Sequence, residues 1–152
     1  MYICAKSPRM ARIKITIPDR FIFQVKLPVR ITDLNYGGHV GNDALLGMIH
    51  EVRMQFLHHA GYTEMNLAGA GLIMSDVAIE FRQELFYGDT ILASVVANDF
   101  SKVGFDICYR FEKLTDGNPV LVALAKTGMV CYDYSAKKIR PVPPGVQEQL
   151  GI

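Results

Sequence analysis

Between positions 33 and 42 the chain reads Asp-Leu-Asn-Tyr-Gly-Gly-His-Val-Gly-Asn, a glycine-rich stretch that gathers Asp33, Asn35, His39 and Asn42. Histidine is the residue type that exchanges protons near neutrality, so His39 is a candidate general base. Asn35 has no basic lone pair to offer, but its carboxamide can orient a water or a carbonyl. Asp33 is either a base or an acceptor for the loop's own amides, since short acidic side chains bond nearby backbone readily. Together these types suit attack of water on a polarised carbonyl.

A helix placed directly after this loop would add a donor. The period changes there: Ala44, Leu45, Met48, Ile49, Val52, Phe56 and Ala60 recur at helical spacing and make one apolar stripe. Asn42 or Asp43 can cap this helix and Gly61 can end it. The first turn of a helix leaves N–H groups unpaired and carries partial positive charge, so the amides after Gly41 can polarise a carbonyl oxygen. Glu51, on the flank of the stripe, is a reserve base. His58 and His59 end the helix, where cations are favoured.

The remaining pattern is strand. Ile13 to Ile17 alternates, and alternation resumes from Phe21 to Ile31, with Pro28 marking an edge or bulge. After the helix, Val77, Ile79 and Phe81 alternate with charged residues. Phe86-Tyr87-Gly88-Asp89 turns into an apolar run from Thr90 to Asn98. Phe105, Ile107, Tyr109 and Phe111 follow. Asp116-Gly117-Asn118-Pro119 is a strong turn, and Val120 to Tyr132 is a long strand. The order is strand, helix, then about four strands on short links, so antiparallel neighbours are expected. One helix among so many strands predicts an α+β fold with the sheet wrapped around it. Residues 1–9 read as a tail or an upstream start, and residues 10–152 as a single domain.

Composition sets the outer bounds. Of 152 residues, half are hydrophobic, which is enough for a core, and the formal net charge of +1 gives no reason to expect nucleic acid as a partner. Cys4, Cys108 and Cys131 show neither a disulfide framework nor metal-ligand spacing, so reduced thiols and no metal are expected. The absence of a long apolar run predicts no membrane partner and a cytoplasmic location.

The segment from Arg30 to Asn42 resembles the active-site loop of the 4-hydroxybenzoyl-CoA thioesterase family. Bacterial members show a strand, D-x-D-x-x-G, then the central helix. Their helix carries an Ala-Arg pair, partly matched by Val52-Arg53. Tyr87-Gly88-Asp89 is similar to the family's turn aspartate. Ala125-Lys126-Thr127-Gly128 through Asp133, then Arg140-Pro141-Val142-Pro143, resembles its last strand and tail. The resemblance spans about Ile13 to Pro144. Asn35 stands where bacterial members carry the second acid, and Asn42 stands where a histidine is frequent. Asp33-x-Asn35 with His39-Val40-x-Asn42 is also similar to the D-x-N-x-H-V-N-N of plant acyl-carrier-protein thioesterases, with two residues inserted.

The resemblance implies a hotdog fold and hydrolysis of an acyl-CoA or acyl-carrier-protein thioester. It also implies a homodimer or homotetramer with the acyl cleft between subunits. No cofactor is implied beyond coenzyme A as part of the substrate. Catalytic roles carry over to Asn35, His39, Asp33, Asn42 and Glu51. Arg82, Lys102 and Lys126, with Arg110, are the cations that could reach the coenzyme's phosphates. Two other readings stay open. Hotdog hydratases carry D-x-N-P-x-H, which Asp33-Leu34-Asn35 and His39 approach, with Tyr36 in place of proline. A binding module that holds acyl-CoA without turnover is the second, because the aspartate is missing.

Overall fold

The computed structural model describes residues 12–152, so the expected tail, residues 1–9, and Cys4 lie outside the described residues. The elements run β1 (Phe23–Pro28), a 3-10 turn (Ile31–Asp33), α1 (Asn42–His59), β2 (Gly71–Phe81), β3 (Thr90–Asn98), β4 (Gly104–Lys113), β5 (Val120–Asp133), β6 (Lys138–Ile139) and α2 (Val146–Leu150). All strand pairings are antiparallel, in the order β1-β3-β4-β5-β2, with β6 on the end of β5. The Asp116–Pro119 and Phe86–Asp89 turns fall where their residues predict. In the second, Asp89 closes the turn by accepting from the Phe86 amide at 2.9 Å.

The sheet is amphipathic in alternate residues. Ile91, Ala93, Val95 and Ala97 of β3 meet Phe105, Ile107, Tyr109 and Phe111 of β4 on the face toward α1, all buried. The helix presses Leu45, Met48, Ile49, Val52, Phe56 and Leu57 onto that face. Ile49, Val52 and Leu57 are wholly sealed from solvent, each contributing roughly 1.5–3 kcal/mol. An antiparallel sheet around one central helix is the hotdog arrangement.

Two expectations need correction. The alternating segment Ile13–Ile17 is not a strand. It crosses the outer face of the sheet, where the Ile15 amide donates to Glu80 Oε2 at 3.0 Å and Phe21 lies under the Arg110 guanidinium, 4.5 Å from the ring centre. A chain laid across strands cannot join their ladder, because its amides do not run alongside a free edge. Ile15 and Ile17 are half-buried and Ile13 is exposed. That Ile15 amide, helped by Arg82, holds the Glu80 carboxyl below its usual range. The second correction is the helix cap. Gly41, not Asn42 or Asp43, occupies it, and no side chain caps the first turn. Gly41 is buried and its amide donates to the Asp33 carbonyl at 3.1 Å; a Cβ there would press on the Asp43 carboxylate, which would have to shift.

α2 was not anticipated. Gly145 enters it at φ +87°, a left-handed turn that suits glycine. Among the described residues no helix is long and apolar enough to cross a membrane.

Candidate active site

The loop before α1 closes on itself. Leu34 and Val40 form an isolated bridge, the Asn35 amide donates to the His39 carbonyl at 2.9 Å, and the Gly38 amide donates to the Asn35 carbonyl at 3.1 Å. Gly38 takes φ +79° to make the reversal. The Asn35 side chain then accepts from the Gly37 amide at 2.8 Å, the self-bonding turn expected of that residue type. The reversal brings the two candidate groups together. A Cβ on Gly37 would lie 3.2 Å from Asn35 Oδ1 and 3.3 Å from His39 Nε2, so both side chains flank the same glycine.

His39 Nδ1 lies 3.2 Å from the Val40 carbonyl oxygen. A carbonyl only accepts, so Nδ1 carries the hydrogen and Nε2 of the neutral ring keeps its lone pair. Nε2 points toward Glu84, at 3.8 Å. That is too far for a hydrogen bond. His39 and Asn42 line one cleft of about 220 Å³. Its apolar wall is Val40, Leu45, Phe81, Leu85 and Val122, and Arg82, Gln83 and Glu84 complete the rim. The Val40 amide donates to the Leu85 carbonyl at 2.8 Å, which ties the loop to the segment after β2 and fixes the cleft's width. No side chain caps the first turn of α1; Asn42 and Leu45 of that turn line this cleft with His39, while Asp43 and Ala44 line a second one.

Of the other predicted residues, Arg82 also lines this cleft, and Asp33 and Glu51 together line a second one. Asp33 is buried and bound to Arg30, whose backbone amide donates to Oδ2 at 2.8 Å and whose Nη2 reaches Oδ1 at 3.2 Å. It caps the 3-10 turn, and its carbonyl holds Gly41. Glu51 lines a different cleft, about 600 Å³, on the β1 side of the helix with Asp43 and Gly47, and accepts from Gln55 at 2.7 Å. Of the three cations, Arg82 lies on the rim of the first cleft, paired with Glu80. Lys126 is on the outer face of the sheet, 3.1 Å from Asp106, which raises its pKa. Lys102 is exposed in the link between β3 and β4. Arg110 is engaged by Phe21 and Glu112. Of these four cations Arg82 alone lines the first cleft. Cys108 and Cys131 are free and buried, and burial pushes the Cys108 thiol up to about 11, so it stays protonated. Among the described residues no cluster has the makings of a metal site.

One polar array had no local signal in the sequence. Arg53, buried on α1, donates through Nε to Glu64 Oε1 at 2.6 Å, and Glu64 Oε2 lies 3.5 Å from His50 Nε2. Burial works against the Arg53 charge, but Tyr109 and Glu64 outweigh it and raise its pKa. Glu64 sits in the loop before β2, and only the tertiary fold brings it to the helix.

A sequence-family profile described as the thioesterase-like superfamily matches residues 29–150. No curated protein sequence matches the chain. Similar solved structures include a thioesterase-superfamily protein from Jannaschia sp. CCS1, 19% identical, covering 86% of this chain and 82% of that one at TM-score 0.76. A 1,4-dihydroxy-2-naphthoyl-CoA thioesterase from Synechocystis is 23% identical, with coverage of 84% and 93% and TM-score 0.70. A 4-hydroxybenzoyl-CoA thioesterase mutant with asparagine in place of an aspartate, complexed with 4-hydroxybenzoyl CoA, is 15% identical, with coverage of 85% and 98% and TM-score 0.75. At such identities the likeness is one of fold.

Proposed function

The chain belongs to the thioesterase-like superfamily, and on that ground we propose that it hydrolyses an acyl-CoA or acyl-carrier-protein thioester to free acid and thiol. The observation that carries the reading is the shared wall of the 220 Å³ cleft: a histidine with an available Nε2 beside the uncapped start of a helix. His39 takes a proton from water, and Asn35 across Gly37 orients that water or the carbonyl. The amides of the first helical turn meet the oxyanion, a contribution of about 3 kcal/mol in comparable sites. The acyl group lies against Leu45, Phe81, Leu85 and Val122, with Arg82 at the solvent side for a phosphate. The test is thiol release across a panel of acyl-CoA esters, aliphatic and aromatic. Release proportional to enzyme concentration supports the reading. A second reading, a module that binds acyl-CoA without turnover, is favoured by Asn35 itself, because no carboxylate stands beside His39 across Gly37. Binding without thiol release for every ester would establish it instead.

The proposed working unit is a homodimer joined at β2. Among the described residues this strand, eleven residues long, pairs only with β5, and past the Leu72 amide, which Glu64 holds, its other edge is open. The bulge at Ser75 puts Met74 and Val77, three apart, on the face toward the helix with Phe81, and all three are exposed. A long apolar edge is a template for pairing. Light scattering at micromolar concentration should give about twice the 17.0 kDa of one chain or more. A particle of one chain's mass would exclude the dimer.

A further inference from the structure

The segment before β1 that forms no strand is pinned to the sheet at both ends. Glu80, Leu124 and Arg110 stand in one transverse row, since Glu80 pairs with Leu124 and Leu124 with Arg110. Residues 15–21 cross the outer face along that row. At one end the Ile15 amide donates to Glu80 Oε2 at 3.0 Å, and at the other Phe21 lies under the Arg110 guanidinium. Ile15 and Ile17 are half-buried, while the alternate residues Lys14 and Thr16 are exposed. An extended chain held in this way turns Lys14 outward beside Glu80, at the β2 side of the sheet.

Glu80 serves two elements at once. Its Oε2 takes the Ile15 amide, and its Oε1 lies 2.6 Å from Nη2 of Arg82. The Ile15 amide, Arg82 and Lys14 together hold the carboxyl below its usual range, so both cations act on one carboxylate. Phe81 and Arg82 line the 220 Å³ cleft with His39. The ion pair with Glu80 draws the Arg82 guanidinium over the rim of that cleft, toward the face where the crossing segment lies. With one nitrogen on Glu80, a guanidinium still has N–H donors to offer an anion. Arg12 is exposed as well, at most about 7 Å from Lys14 along the chain. Arg12, Lys14 and Arg82 against Glu80 and Glu84 leave the local charge positive.

We propose that Lys14 and Arg82, arranged about Glu80, form a phosphate-binding rim for the thiol half of the substrate. The proposal rests on the thioesterase reading and deepens it. A thioester carbon beside His39 sends its pantetheine arm out of the cleft, and the phosphate on that arm meets protein only beyond the rim. The cations for it must adjoin the cleft yet stand outside it. Glu80 holds Arg82 in such a place and brings Lys14 to the same carboxylate. Phosphate is common to coenzyme A and to the phosphopantetheine of a carrier protein, so the rim suits either. Glu80 is a positioning residue, since it fixes Arg82 and the crossing segment and does not itself hold the anion.

The test places one acyl group on three thiols: coenzyme A, 4′-phosphopantetheine and pantetheine, which has no phosphate. In the wild type the coenzyme A ester should have the higher kcat/KM, through its lower KM. Lys14→Ala and Arg82→Ala should each cut that advantage over the pantetheine ester about tenfold, as expected for one charge-assisted contact. Both esters are read in one protein, so partial unfolding lowers them alike and leaves the ratio. An unchanged ratio in either variant overturns the paired rim. If the advantage of the phosphopantetheine ester falls equally, the rim reads the phosphate shared with carrier protein. If only the coenzyme A ester loses, it reads the phosphates of the nucleotide. Glu80→Gln separates positioning from repulsion. Removing a negative charge beside a phosphate should lower KM for the coenzyme A ester, whereas releasing Arg82 should raise it. A lower KM would remove Glu80 from the rim. Calorimetry with coenzyme A itself reads the rim without turnover. Its Kd should weaken about tenfold in both alanine variants, even if the wild type releases no thiol from any ester, an outcome that would sink the thioesterase reading alone. Equal Kd values in all three proteins, or no binding to any of them, would sink the rim.

Discussion

His39→Ala should lower thiol release about a hundredfold, the usual contribution of a positioned base, while leaving the fold intact. The ring makes a single hydrogen-bonding contact, to the carbonyl of its own neighbour Val40, and is a third exposed, so little packing is lost. Asn35→Ala should also slow turnover, with a modest stability cost of about 1 kcal/mol from the lost bond to the Gly37 amide. Asn35→Asp separates these roles. A carboxylate accepts from the Gly37 amide as the carboxamide does, so the turn survives. It also places an acid beside His39, where the resembling bacterial enzymes carry one. Activity should persist or rise, with a new acidic limb in its pH profile. Steady-state rates on one acyl-CoA, with thermal melts of each variant, check all three. If His39→Ala equals the wild type, the chemistry lies outside this loop, and Glu51 in the 600 Å³ cleft becomes the base to test.

How much of this was legible in the sequence depends on the range of the interactions involved. The apolar stripe from Leu45 to Phe56 comes from side-chain periodicity and the limits of β3 from an apolar run that follows a turn, both local properties, and the structure keeps them within a residue or two. Ile13–Ile17 has the same alternation but forms no strand, because alternation records which side is apolar and not whether an edge is free to pair. α2 is too short at five residues to display a period. In the site, the closeness of Asn35 and His39 was readable, because a glycine-rich loop with a closing bridge is also local. The remainder of the cleft was not. Phe81 to Leu85 and Val122 reach it through the long pairing of β2 with β5, and Lys126 was removed from it by the same register, which turns Lys126 to the outer face. The ion pair of Arg53 with Glu64 spans eleven residues and a helix end, and no spacing rule links them.

That ion pair sets the second large effect. Glu64→Ala should destabilise the protein by about 3 kcal/mol, the low end for breaking a buried pair, since Glu64 retains some access to water. The guanidinium left behind is 5% exposed and has no other anion to turn to. Tyr109, packed near it, is no substitute: burial pushes its hydroxyl up to about 12, against the opposing pull of Arg53 and of Thr127 at 2.8 Å, so it remains a neutral phenol at pH 7. Thermal melting should fall by roughly 6–12 °C. Removing both charges, with Arg53→Met and Glu64→Leu together, should restore most of the loss, because it is the stranded cation and not the missing bond that is costly. Urea unfolding of the three proteins decides this. A Glu64→Ala variant within about 1 kcal/mol of wild type would mean that water already solvates Arg53.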